Sequence, residues 1–317
     1  MTMTRRRFLV TAVAAGSVGG LGALIASGDA RPGFIWRGSA LGGEARVSLY
    51  GADTDAARSA LSAVANEIER LEDIFSLHRE TSELRRLNRD GHLASPSRDL
   101  ADVIGSALRW RETTGGAFDP TVQPLWQAAA DGIAPTPELV ARAGAAVAVG
   151  VGAISIPPGA GLTLNGIAQG RIADRVTEVL LAHGFEDVVV DAGELRLPGK
   201  ARRAVGVPAA KAAVSVAEVA IATSEPKTLV FDQSSWRHHL IDPRTGASPR
   251  HWESISVFAP TAETADALST AFAVLPHEAV ADLTSTIGDI AVIGADGRGR
   301  VRRFGDLSLI GSRTATS

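Results

Sequence analysis

The 317-residue sequence contains no cysteine. Disulfides, zinc–thiolate centres, iron–sulfur clusters and a thiol nucleophile are therefore excluded. So is a lipoprotein anchor, which needs a cysteine to carry its lipid. Basic charge is not in excess: 32 Lys and Arg face 35 Asp and Glu, for a net charge of −3, so no field invites nucleic acid. No Gly-x-Gly-x-x-Gly follows a strand, which removes support for an ordinary dinucleotide fold. The segment from Gly193 to Lys200 has the outline of a phosphate loop, but its spacing is one residue too long. Ala201 also stands where a Ser or Thr would hold the metal. The Gly-x-Ser-x-Gly elbow of serine esterases is missing too, as are internal repeats, heptads and low-complexity tracts. With 45% hydrophobic and 21% charged residues, the chain has an ordinary globular balance and length for one large domain or two small ones.

The N-terminus carries the clearest local signal. Thr4-Arg5-Arg6-Arg7-Phe8-Leu9-Val10 pairs arginines with hydrophobic residues. A mildly apolar stretch to Ala26 follows, interrupted by Gly16, Gly19, Gly20 and Gly22. Gly28-Asp29-Ala30 offers small residues for cleavage. This is the pattern of a twin-arginine signal peptide. A membrane anchor of about 20 residues is the alternative, and the glycines and paired arginines speak against it. The expectation is a signal at residues 1–30, a domain at 31–317, a periplasmic location, and no stable membrane span after processing.

Along the remaining chain, Ala45 to Tyr50 alternates as a strand. Asp53 or Thr54 caps a helix whose Leu61, Val64, Ile68, Leu71, Ile74 and Phe75 share one face. A second helix is predicted from Leu100 to Thr113, closed by Gly115-Gly116. A third starts near Ala168 with Ile172, Val176, Val179, Leu180 and Leu181 inward, ending at Gly184. Val188–Val190 and Ile255–Val257 read as strands, residues 213–223 as one alternating strand, and Glu263 to Val274 as a helix. Ile290–Ile293 and Leu307–Ile310 are expected to close the sheet. The mixture lacks a β-α-β rhythm, so α+β is favoured over a doubly wound sheet.

Four segments carry possible chemistry. Thr163-Leu164-Asn165-Gly166-Ile167-Ala168-Gln169-Gly170 opens the third helix, where backbone N–H groups suit a diphosphate; an ordinary strand-to-helix turn reads equally well. Asp266 and Thr270 lie at i and i+4 on one helix face, and both offer hard oxygens to Mg²⁺; capping and packing would also explain them. In His238-His239-Leu240-Ile241-Asp242-Pro243-Arg244-Thr245-Gly246, a rigid turn follows two histidines, one inward and one outward. A neutral histidine there could act as a general base, or both could be incidental. Gly115-Gly116-Ala117-Phe118-Asp119 either admits a flat ligand beside Phe118 or simply ends a helix.

In order, these segments resemble the FAD:protein FMN transferase family, also called the ApbE family. The resemblance begins at Leu41-Gly42-Gly43-Glu44 and runs through Phe75-Ser76, Ser82-Glu83-Leu84 and Leu87-Asn88. It continues through Gly116 to Val122, Gly166-Ile167-Ala168-x-Gly170 with Asp174, and Ala222-Thr223-Ser224. His239 to Gly246 and Ala265-Asp266-Ala267-Leu268-x-Thr270 complete it. It implies an α+β fold, a single domain of two lobes with a mixed, mainly antiparallel sheet and a flavin cleft between them. By this resemblance Asp266, Thr270 and the Ala168 carbonyl would bind Mg²⁺. Gly116, Ala117, Phe118, Asp119, Gly166, Gln169, Asp174, Thr223 and Ser224 would contact FAD. His239 would assist phosphoryl transfer together with Asp266.

Several departures stand out: Gln169 replaces the family lysine, Thr163 an aspartate, Asn165 a glycine, and Ala192-Gly193-Glu194 the family's Gly-Gly-Asp. Glu225 also follows Thr223-Ser224 where glycine is usual. Asn165 to Gly170, with Gly193-Glu194-Leu195-Arg196 later, looks like the nitrous oxide reductase accessory (NosX-like) branch. The implied reaction moves FMN from FAD to a threonine of an exported partner, a membrane-bound electron-transfer subunit, and releases AMP. An FAD pyrophosphatase and a non-catalytic flavin carrier are the alternatives.

Overall fold

The computed structural model describes residues 25–26, 33–51, 53–232, 236–311 and 313–314. The paired arginines and the cleavage segment lie outside the described residues. Ile25–Ala26, which the sequence reading places in the leader, pair antiparallel with Val205 and Ala204.

Local chemistry sets the eight helices found among the described residues. In α1 (Thr54–Phe75) the Asp53 carboxylate accepts from the N–H groups of Asp55 and Ala56, and the expected apolar stripe is buried. Serine caps start both α2 (Glu83–Asp90), at Ser82, and α3 (Arg98–Thr113), at Ser97. After α4 (Gln123–Ala130) and α5 (Pro137–Arg142) come α6 (Ala168–Ala182), α7 (Ala262–Ala273) and α8 (His277–Ile287).

The main sheet has eight strands. Their order is Val301–Gly305, Ala291–Ala295, Ser254–Ala259, Val219–Ser224, Leu195–Leu197, Val188–Asp191, Gly43–Leu49 and Phe34–Ala40. Every neighbouring pair is antiparallel. The hairpin between the last two strands turns on Leu41 and Gly42, both at positive φ (50° and 86°), the geometry that matches strand twist in a two-residue turn. Alternation along the strands feeds two cores. Ala220, Ala222, Ile255 and Val257 face a large core shared with α1, α3, α6 and α7. Val219, Ile221, Phe258 and Ile293 face a smaller sheet that includes Arg203–Val207 and Ala212–Val216. The α+β, antiparallel expectation therefore holds.

Several expectations need correction. Residues 213–223 are two strands in different sheets, because the chain turns at Glu218, whose φ is 51° and whose N–H donates to the Gly199 carbonyl. The closing edge is Val301–Gly305 rather than Leu307–Ile310, which instead contributes one short turn of helix at Leu307–Leu309. Leu181 is exposed, since the buried face of α6 runs through Ile172, Ala173, Val176 and Leu180. Neither α2 nor α8 was expected. Among the described residues no helix is long and apolar enough to cross a membrane.

Candidate functional site

The site grows from the contact between the first turns of α6 and α7. The Gly170 N–H donates to Asp266 Oδ2 at 3.0 Å. A side chain at Gly170 would run into the backbone of Ala262 and Glu263, so glycine alone permits this approach. Asp266 is buried. Four residues on, Thr270 reaches the preceding loop: its Oγ1 lies 2.7 Å from where a Cβ on Gly166 would stand, and the Phe118 ring edge lies 3.2 Å from that same point. Asp266, Thr270, the Gly166–Ala168 loop and Phe118 therefore share one place, although Phe118 is some fifty positions from Gly166 and a hundred and fifty from Thr270.

Asn88 supports that loop from behind. Its amide donates to the Leu162 carbonyl at 2.8 Å, and its Oδ1 accepts from the Leu162 N–H at 2.7 Å. The Thr163 N–H donates to the Pro120 carbonyl, tying the loop to the 115–122 segment. There Gly115 and Gly116 take positive φ, and Ala117, Phe118 and Asp119 are buried. Asp119 Oδ1 accepts from the Thr121 N–H and hydroxyl, and Oδ2 pairs with Arg111 at 3.1 Å. Its carboxylate thus braces the turn.

Gln169, the residue before Gly170, projects its amide between two glycines. A Cβ on Gly43 would lie 2.9 Å from Gln169 Nε2, and one on Gly193 2.6 Å from its Cδ. Next to Gly193 stands Glu194. Burial pushes its carboxyl well above the usual range; repulsion from Asp266 and then Asp191 adds to this, while the Thr223 N–H opposes it. Glu194 as a residue is only half-buried, so it is the carboxyl end that is enclosed. Asp266 is likewise pushed up to about 8, first by burial and then by Glu263 and Asp174, against the pull of the Gly170 N–H. Thr223 bonds the Ser256 hydroxyl at 2.8 Å and Ser224 bonds the Ser269 hydroxyl of α7 at 2.9 Å, which places the end of their strand beside α7.

Carboxyl groups crowded in low dielectric without a cation are what a bound cation would neutralise. No group of three or more His, Cys, Asp or Glu among the described residues forms a metal cage. Mg²⁺ takes one or two protein carboxylates and fills its shell from phosphates and water. Asp266, the Thr270 hydroxyl and the carbonyl of Ala168, at the start of α6, are the residues present to hold it.

Asp174 is placed differently from a ligand-facing side chain. Oδ1 accepts from the Ala262 N–H and Oδ2 from the Glu263 N–H, both at 2.9 Å, and Arg196 Nε lies 3.3 Å from Oδ1.

His238 and His239 follow the expected inward and outward pattern, with His238 buried and His239 half-buried. His239 Nδ1 lies 3.1 Å from the Leu229 carbonyl. A carbonyl only accepts, so the proton sits on Nδ1 and the lone pair on Nε2. Burial lowers its pKa, the Leu229 bond opposes this, and His238 lowers it further, so the ring is neutral near pH 7. His239 and Asp266 stand on separate segments of the site, the one before the 242–246 turn and the other on α7. His239 connects through the 242–246 turn: Asp242 holds Arg244 by two 2.8 Å bonds, and the Arg244 stem lies 3.6 Å from a Cβ position on Gly116. Glu194, Asn88 and Arg244 complete the surroundings without having been singled out as site residues. In the sequence Glu194 is marked by the resemblance alone, where it stands for the aspartate of a Gly-Gly-Asp, and nothing local shows its carboxyl to be enclosed.

The family model described as ApbE matches residues 41–293. The chain is 32% identical over 278 residues to the FAD:protein FMN transferase of Treponema pallidum, covering 74% of this chain and 76% of that protein. It is 31% identical over 240 residues to the Haemophilus influenzae protein of the same name, covering 64% and 69%. Among solved structures it resembles the ApbE protein of Thermotoga maritima with a TM-score of 0.77 at 25% identity, covering 88% of this chain and 99% of that one. It also shares the fold of the apo flavinyl transferase ApbE of Pseudomonas stutzeri, with a TM-score of 0.74 at 21% identity over 93% and 99%.

Proposed function

Because the chain belongs to the ApbE family, we propose that it is a transferase that carries FMN from FAD to a protein, placing it on a threonine hydroxyl and releasing AMP. The observation that carries this reading is the meeting of Asp266, Thr270 and the Gly166–Ala168 loop at the start of α6. At this helix start the Gly170 N–H donates to Asp266 and the Ala168 N–H to the Leu164 carbonyl, so it is the Asp266 and Thr270 oxygens that suit the Mg²⁺ a diphosphate brings.

Mg²⁺ held by Asp266, Thr270 and the Ala168 carbonyl would neutralise charge building on the phosphates as the bond breaks. The protein's own part is mostly positioning. Gly166 and Gly170 let the loop and helix close on each other, and Phe118 with the Gly115–Gly116 turn flanks space for a ring. Gln169 offers a neutral amide where the family usually has an ammonium, leaving more of the phosphate charge to the ion and backbone. The acceptor hydroxyl attacks the FMN-side phosphorus, the bridging oxygen leaves with AMP, and the hydroxyl proton passes to Nε2 of His239. Thr223, Ser224 and Asp119 complete the proposed flavin-side set. The paired arginines of the leader support export, a periplasmic setting and an acceptor among membrane-bound electron-transfer subunits.

The test is a denaturing gel of cell-envelope proteins viewed unstained under ultraviolet light, where only covalent flavin survives. A band lost on gene deletion should return with the wild-type chain and not with Asp266→Asn. If the purified chain instead yields free FMN and AMP from FAD with no labelled band, it is a pyrophosphatase. If FAD stays intact with Mg²⁺ and the envelope acceptors present, it is a carrier.

A further inference from the structure

Asp174 and Asp266 form a reciprocal pair. Asp266 extends from α7 and accepts the Gly170 N–H in the first turn of α6. Asp174 extends from α6, four residues after Gly170 and on the same face, and accepts the first two N–H groups of α7, from Ala262 and Glu263. Each helix thus receives a carboxylate from the other at its N-terminal end, where unpaired N–H groups and the helix dipole favour one. Arg196 pairs with Asp174, while Glu263 is held by Arg171 and the Ser106 hydroxyl. With both oxygens engaged by backbone, Asp174 fixes where α7 begins, and hence where Asp266 and Thr270 stand one and two turns later.

We propose that Asp174 is a positioning residue that sets the ion-binding geometry of Asp266 and Thr270 by clamping the start of α7, and does not itself touch the flavin. This rests on the Mg²⁺ reading above. Asp174→Asn keeps the side-chain shape but presents an NH₂ to one of the two N–H groups it now accepts from. The mature chain would be titrated with Mn²⁺ by electron paramagnetic resonance in the presence of FAD, and FAD affinity measured by fluorescence quenching at saturating Mn²⁺.

Asp174→Asn should weaken Mn²⁺ binding at least tenfold and leave FAD affinity within twofold of wild type. Thr261→Ala removes the other cap of α7, the Thr264 N–H to Thr261 Oγ1 bond of 3.2 Å. It should lower the melting temperature without the tenfold loss of Mn²⁺. Unchanged Mn²⁺ affinity with weakened FAD would overturn the clamp and make Asp174 a flavin contact. Equal Mn²⁺ losses in both variants would also overturn it, reducing Asp174 to a helix cap. If Asp266→Asn still binds Mn²⁺ like wild type, the metal reading itself fails, and that outcome is separate from the other two.

Discussion

Replacing Gly170 with alanine tests the packing that builds the site. A Cβ there would stand 2.5 Å from the Ala262 carbonyl carbon and 2.7 Å from the Glu263 nitrogen. Carbon atoms settle about 3.5 Å apart, and these neighbours are backbone that no rotamer change can move. The two helices must therefore part by about 1 Å. Overpacking of this kind costs about 1–3 kcal/mol, while alanine returns up to about 1 kcal/mol through helix propensity. The net loss of about 1–2 kcal/mol should lower the melting temperature by about 2–5 °C. The functional loss should be larger, because the same movement stretches the Gly170 N–H to Asp266 bond and shifts Asp266 from the loop. Displacement by 1 Å commonly costs about a hundredfold in rate. The assay pairs thermal unfolding with in-gel flavin fluorescence of an acceptor. A variant that melts with wild type and labels acceptor within twofold of its rate would refute the close contact of α6 and α7.

Three further outcomes are expected. His239→Gln should slow transfer by about 10²–10⁴-fold with FAD binding retained, and the acid limb of the wild-type rate profile should fall below the usual histidine value near 6.5, since burial lowers this ring's pKa; an acid limb above 7 would count against it. Gln169→Lys puts an ammonium beside Glu194 and the proposed diphosphate site, and should tighten FAD binding about tenfold, the worth of one charge-assisted hydrogen bond; calorimetry showing equal or weaker binding would refute that placement. The folded-state pKa of Asp266 is raised to about 8, so its favourable share of stability is full below the unfolded value near 3.9 and is lost as pH rises through about 8. With chelator present, Asp266→Asn should therefore gain thermal stability relative to wild type between pH 5 and pH 8, and a pH-independent difference would contradict the raised value.

Much of this was legible from local patterns. The apolar stripe of α1 and its Asp53 cap, the start of α6, and the i, i+4 spacing of Asp266 and Thr270 are written in consecutive residues. What was not legible depends on partners distant in sequence. The apolar alternation of Val214 and Val216 slips by one residue at Glu218 to Val219 and Ile221, and the Gly199 carbonyl, with the division between two sheets, shows that the slip is a turn. Val301–Gly305 has only Arg302 and Phe304 half-buried, with Val301, Arg303 and Gly305 exposed, so as an edge strand it has a weak hydrophobic signature. Asp174 looks like an ordinary surface acid of a helix, because the N–H groups it accepts lie 88 and 89 positions away. Glu194 shows its crowding only when the strand end, Thr223 and α7 are brought together.

The α6–α7 contact also bears on how the molecule assembles. Gly170 and Asp266 are separated by 96 positions, and strands of the main sheet lie between them in the chain. Contacts closing so long a loop form late in folding. An ion gripped there would do little to speed folding and would act mainly by slowing the return to the unfolded chain. Its concentration would then set the lifetime of the native protein more than the rate at which it is made.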